Sequence, residues 1–95
     1  MRRSTVERRL KANSKRLAGL REELGITDEQ LGHFDEEAED ARIRAMVSET
    51  SLAQRESLDA GRHAEALARR RAEVQAEIER LERDQDELLD QLGGA

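Results

Sequence analysis

Two short stretches decide the fold of this chain: Leu17–Leu24, LAGLREEL, and Val74–Leu81, VQAEIERL. In the first, the apolar residues lie three and then four residues apart, and in the second the order is reversed. Extended in both directions, each stretch becomes a run, here called a seam, with the alternating spacing of helices that pack along a narrow stripe. The first seam is Val6, Leu10, Asn13, Leu17, Leu20, Leu24, Thr27, Leu31, Phe34, Ala38, Ala41 and Ala45. The second is Ala53, Ser57, Ala60, Ala64, Leu67, Arg71, Val74, Ile78, Leu81, Gln85, Leu88 and Leu92.

The two seams match each other when the chain is folded back near Glu49. Each seam position then meets one whose residue number adds with its own to 98, as Leu20 does with Ile78. The polar seam residues follow the same rule, because Asn13 falls opposite Gln85. Thr27 likewise falls opposite Arg71. Polar layers of this kind weaken a coiled coil but fix its register, so the pattern predicts one antiparallel pairing.

The predicted fold is all-α: a long antiparallel two-helix coiled-coil hairpin that forms a single domain. We expect a helix over about 4–46, a turn over about 47–51, a helix over about 52–92 and a flexible end at 93–95. Ser51 is the expected N-cap of the second helix, with Gln54 closing the capping box. Two such hairpins could pair into a four-helix bundle.

One local signal competes with this model. Gly25 reads as a helix C-cap, and Thr27 with Gln30 reads as the start of a new helix. A turn there would give three helices, with short ones at 4–24 and 28–47. The seam passes through Gly25 without a skip, which favours a helix that is continuous or merely kinked.

Composition limits the function classes. The charged fraction is 41%, and the chain has no cysteine, proline, tryptophan or tyrosine. This is typical of long helices, and it leaves no disulfide or thiolate site. No stretch reads as a membrane span or a signal peptide, so a cytoplasmic location is expected. Neither a phosphate-binding loop nor a nucleophile motif is present, and we expect no enzyme activity, no cofactor and no small-molecule substrate.

The two histidines are the only candidates for a metal centre. His33 and His63 fall at similar heights of the hairpin, near Glu37 and Asp59. The seam points His33 outward, so solvated histidines beside carboxylates are the preferred interpretation and no metal is expected.

Charge is unevenly distributed along the chain. Residues 1–25 hold eight basic and three acidic side chains, and the stretch from Glu77 to Asp90 is mostly acidic. The hairpin brings these ends together, with Arg16 expected near Asp84. It likewise brings Glu37 near His63. A second interpretation is that the basic segment contacts phosphates of nucleic acid. Its members are Arg2, Arg3, Arg8, Arg9, Lys11, Lys15 and Arg16.

The hairpin tip is the preferred site of function. Its seam residues are mainly alanine, whereas large apolar residues stand off the seam: Ile43, Met46, Val47, Leu52 and Leu58. Such a cluster at one end indicates a surface that contacts a protein partner or a second copy, with Glu49 beside it. The alternative is that the seam rotates near the tip and buries some of them.

Gly19, Gly25 and Gly32 stand off the seam of the first helix. Glycine in a helix costs about 1 kcal/mol relative to alanine, so close approach of a partner or local kinking is expected there.

Two resemblances follow from these features. Arginine outnumbers lysine fifteen to two, and the chain resembles small uncharacterised helical-hairpin proteins of actinobacteria. In architecture alone, the hairpin is similar to the coiled-coil fingers of Gre- and DksA-type factors. That resemblance implies contact with the transcription machinery through the tip. Those fingers carry acidic tips, and here only Glu49 lies in the turn.

Overall fold

The computed structural model describes residues 2–93 and consists of two helices. Helix α1 spans Arg3–Ser48 and helix α2 spans Ser51–Gly93, so only Glu49 and Thr50 connect them. The described residues contain no strand, and the all-α two-helix hairpin is confirmed. The connection is shorter than the predicted turn over 47–51. Gly93 is the last residue of α2, and the remainder of the predicted flexible end lies outside the described residues.

The predicted seam is confirmed by burial. Every position of both seams is buried or half-buried, whereas most positions between them are exposed. The heptad pattern therefore identifies the packing face along both helices.

The chain groups into two compact units. The terminal unit consists of Met1–Leu24 and Glu73–Ala95, and the central unit consists of Gly25–Ala72. The terminal unit has an apolar core of Leu17, Leu20, Val74 and Ile78, with Leu24 and Leu81 packed against it. Leu20 and Val74 are fully buried. Burial of each such side chain contributes about 1.5–3 kcal/mol, so this core is the main source of stability in the unit.

A polar layer interrupts the terminal core. The Gln85 side-chain N–H donates to Ser14 Oγ over 2.8 Å. The rule that facing residue numbers add to 98 had placed Asn13 opposite Gln85. The other polar atom, Gln85 Oε1, is buried and has no hydrogen-bond partner within residues 2–93. This layer fixes the register at the expense of stability.

The central unit has a thinner core made of small residues. Ala41, Ala64 and Thr27 are buried on its seam, and Phe34 is half-buried. The Phe34 ring lies 6.2 Å from the His63 ring, centroid to centroid. Alanine buries little apolar area, so this unit gains less from packing than the terminal unit.

Helix α1 runs through Gly25 without a break, and the predicted alternative of a turn there is wrong. None of the described glycines has a positive φ, so Gly25 does not act as a C-cap. Thr27 is only 4% exposed and occupies the seam instead of capping a helix. Burial of the seam residues over many turns outweighs one local capping signal.

Candidate functional site

The connection is closed by two local features. Glu49 has φ 51°, the left-handed conformation that commonly ends a helix, and its N–H donates to Ala45 O over 3.1 Å. Thr50 Oγ1 accepts the Ala53 N–H over 3.1 Å, so Thr50 caps α2. The predicted N-cap, Ser51, is already the first residue of the helix. The hydroxyl one residue earlier is the one that reaches the free N–H groups.

All five apolar residues predicted at the tip are exposed. We call them the tip cluster: Ile43, Met46, Val47, Leu52 and Leu58. Val47 is 80% exposed, and even Ile43, the least exposed member, is 47% exposed. The alternative, in which the seam rotates near the tip and buries some of them, is therefore not observed. Ile43, Met46 and Val47 lie three and four residues apart, so they form one apolar surface on the last turns of α1.

An ion pair supports one member of the cluster. The Arg42 guanidinium donates to both carboxylate oxygens of Glu39, at 3.0 and 2.6 Å. Its remaining Nη1 lies 3.3 Å from Met46 Sδ. The hydrogen bond from Arg42 holds the pKa of Glu39 below its ordinary value, and Glu39 raises the pKa of Arg42 in return. The sequence had given no sign of Arg42, because an i, i+3 ion pair is common on exposed helices.

The basic segment is only partly paired. Arg3 forms an ion pair with Glu7 of the same helix at 3.0 Å, and Arg8 donates to Thr5 Oγ1 at 3.5 Å. Arg2, Arg9 and Lys11 form no ion pair within residues 2–93. The segment therefore keeps exposed cationic groups after folding.

The expected contact of Arg16 with Asp84 is wrong. Arg16 instead donates to both oxygens of Glu77, at 3.0 to 3.3 Å. Both partners flank the seam, Arg16 exposed and Glu77 half-buried, and the glutamate side chain, which is longer than that of Asp84, reaches the guanidinium.

The histidines do not form a metal centre. His33 Nε2 lies 3.1 Å from Glu37 Oε1, so the predicted approach of Glu37 to His63 is also wrong. The rings of His33 and His63 both lie near the Phe34 ring, with centroid separations of 6.0 and 6.2 Å. In the part of the chain that the structure describes, no three His, Cys, Asp or Glu side chains form a group that could hold a metal ion.

Within residues 2–93, two large exposed apolar side chains lie outside the tip cluster. Ile26 is 51% exposed and Leu89 is 52% exposed. Both residues stand off the seam, and each lies far from the tip along the chain. They serve below as matched controls for the tip residues.

No family model, curated protein or solved structure matches this chain. Neither helix, over the residues described, combines the length and apolarity needed to cross a bilayer.

Proposed function

We propose that this chain is a non-enzymatic interaction module that binds another protein through the tip cluster. The observation that supports the proposal is the exposure of five large apolar side chains within Ile43–Leu58, in a chain whose charged fraction is 41%. Large exposed apolar side chains concentrated at one end of a protein are typical of a docking surface. The seam beneath it consists mainly of alanine, which buries little apolar area.

The chemistry of the tip defines the kind of partner. Val47 and Leu52 flank the connection, and exposed Glu49 lies between them in the sequence. A complementary surface would offer an apolar depression for these side chains and a basic group for Glu49. Arg42 orders Met46 in advance, which lowers the entropy lost when the side chain is buried by the partner.

The test is affinity capture from the native cell extract with a Val47→Glu, Leu52→Glu variant. We expect a partner that wild type retains and the variant loses. The matched control is Ile26→Glu, Leu89→Glu, which places the same charges on equally apolar exposed positions elsewhere. Circular dichroism verifies that both variants keep their helical content. Equal capture by wild type and both variants would refute a role for the tip.

An alternative proposal is that the chain associates with nucleic acid, or with the transcription machinery, through Arg2, Arg3, Arg8, Arg9 and Lys11. The observation in its favour is that Arg2, Arg9 and Lys11 have no acidic partner within residues 2–93. Fluorescence anisotropy with labelled duplex and single-stranded oligonucleotides tests it. Phosphate binding should weaken steeply with added salt and be lost on Arg8→Glu, Lys11→Glu, whereas tip docking should tolerate both changes. The absence of salt-dependent binding would exclude this alternative.

A further inference from the structure

We infer that the central unit pairs with the central unit of a second copy of this chain, through one defined side. The inference rests on the proposed function, because it assigns an occupant to part of the same surface. Two observations support it. The first is which residues share a side of the unit, and the second is which charges lie at the same height on the two helices.

The central unit has two sides, which differ in character. On one side of the seam, called the glycine side, small or apolar residues stand among charged ones: Gly32, Met46, Leu58, Gly61 and Ala68, with Asp35, Glu39, Arg42 and Glu65. On the other, called the histidine side, several are polar or charged: His33, Asp40, Val47, Leu52, Asp59 and His63. A Cβ built at Gly32 or Gly61 meets nothing within 4 Å, so nothing within the chain requires glycine there. Gly61 lies three residues from exposed Leu58, and neither Gly61 nor Gly32 has a side chain, so another helix pair can approach this side closely.

Contacts within the unit show which residues of α1 and α2 share a level. Phe34 contacts His63, and Arg71 forms an ion pair with Asp28, so residues at one level have numbers that add to about 98. By this rule Glu36 stands level with Arg62. Glu29 stands level with Arg69. All four point away from the seam, and Glu29, Glu36 and Arg69 form no ion pair within the described residues.

The charge pattern selects the arrangement of the two copies. In this unit the outer face of α1 is acidic, and that of α2 carries arginines. A two-fold axis parallel to the helices places α1 of one copy beside α2 of the other, with Glu36 next to Arg62 of the second copy. Glu29 then lies next to Arg69 of the second copy. Each pair occurs twice. An axis perpendicular to the helices would set acidic α1 against acidic α1, which is repulsive.

The same rule distinguishes the two sides. Docking through the histidine side would bring Asp40 level with Asp59 of the second copy, a like-charge pair. Docking through the glycine side brings Glu39, already neutralised by Arg42, level with Leu58 of the second copy. Gly32 comes level with Glu65. The glycine side therefore avoids this aspartate pair and buries Leu58 and Met46, whereas Val47 and Leu52 stay exposed for a different protein.

The test is sedimentation equilibrium of the full chain, with wild type and two leucine variants of α2. Leu58 and Leu52 are 61% and 64% exposed, so they differ mainly in side. We expect a wild-type dimer, about tenfold or more weaker association for Leu58→Glu, and association close to wild type for Leu52→Glu. Equal effects of the two variants, or a wild type that stays monomeric at high protein concentration, would overturn the inference.

A charge exchange tests the two-fold arrangement itself. Glu36→Arg and Arg62→Glu should each weaken the dimer, and the double variant should restore it because each pair is re-formed with opposite signs. Failure of the double variant to recover would overturn this arrangement.

Partner capture distinguishes the inference from the proposed function: Leu58→Glu should still capture the partner that Val47→Glu, Leu52→Glu loses. A monomeric wild type that still captures it would remove the dimer and leave the proposed function intact.

Discussion

Gln85 has a buried acceptor atom without a hydrogen-bond partner within the described residues. An unsatisfied buried polar atom costs about 1–3 kcal/mol, so Gln85→Leu should raise the free energy of unfolding by about that amount. Urea denaturation followed by circular dichroism measures the change. The control is Ser14→Ala, which removes the partner of the Gln85 N–H and should lower stability by about 0.5–1.5 kcal/mol. A loss of stability in Gln85→Leu would show that the amide is satisfied in solution.

Glu39 titrates abnormally because of one neighbour. Its pKa is lowered chiefly by the hydrogen bond from Arg42, so Arg42→Ala should raise the pKa to the ordinary range of an exposed glutamate. Carbon-detected NMR titration of the carboxylate, in wild type and in Arg42→Ala, measures the shift. Because the folded-state pKa is depressed, the stabilisation from this pair is present above the ordinary pKa and is lost as the pH falls through the lowered value. An unchanged pKa in Arg42→Ala would contradict this assignment.

At the scale of helical elements, Gly19 is an internal weak point of α1. It has helical φ, is exposed and lies in open space, and alanine is preferred over glycine in a helix by about 0.5–1 kcal/mol. Gly19→Ala should therefore raise the midpoint of thermal unfolding, measured by circular dichroism. A decrease would indicate that a partner in solution packs against the bare backbone at this position.

The elements themselves were predictable because burial follows a strict period. One side of each helix packs against the other helix along its whole length. The four-three spacing therefore identifies that side even where Asn13 or Thr27 stands in place of leucine. The same principle explains the failed alternative at Gly25, since capping signals are short and weak compared with a seam of many turns.

Contacts of long exposed side chains were not predictable. Arg16 pairs with Glu77 rather than Asp84, and Glu37 with His33 rather than His63. Exposed ion pairs are worth about 0.2–1 kcal/mol, so the energy differences between alternative partners are too small for spacing alone to decide. The tip cluster could be predicted because its residues are large, apolar and off the seam. The contact between Arg42 and Met46 depends on a side-chain rotamer, so it could not be predicted from the sequence.

At the scale of the whole molecule, the antiparallel connectivity makes a covalent prediction. Leu10 and Leu88 are seam residues of the terminal unit that share a level, so Leu10→Cys, Leu88→Cys should form a disulfide within one chain. Mass spectrometry of the oxidised protein, with non-reducing electrophoresis, measures it. In the control pair Leu10→Cys, Leu81→Cys, the levels differ by about 10 Å, so the bond should form poorly. A disulfide found only between chains would contradict the hairpin.

The position of the leucine core has a consequence for how the chain folds. The terminal unit joins residues far apart in sequence: Ser14 and Gln85 are separated by 71 residues, compared with 43 for Asp28 and Arg71. Near the connection the seam consists mainly of alanine, so pairing of the first turns buries little apolar area. The conformational entropy lost on loop closure is therefore offset only when Leu20 packs against Val74 and Ile78. We expect the rate-limiting step to require that distant encounter, so that Leu20→Ala slows refolding in stopped-flow experiments, whereas Ala41→Gly mainly speeds unfolding. A hairpin closed by a two-residue connection would thus begin its cooperative assembly at the leucine core, far along the chain from that connection.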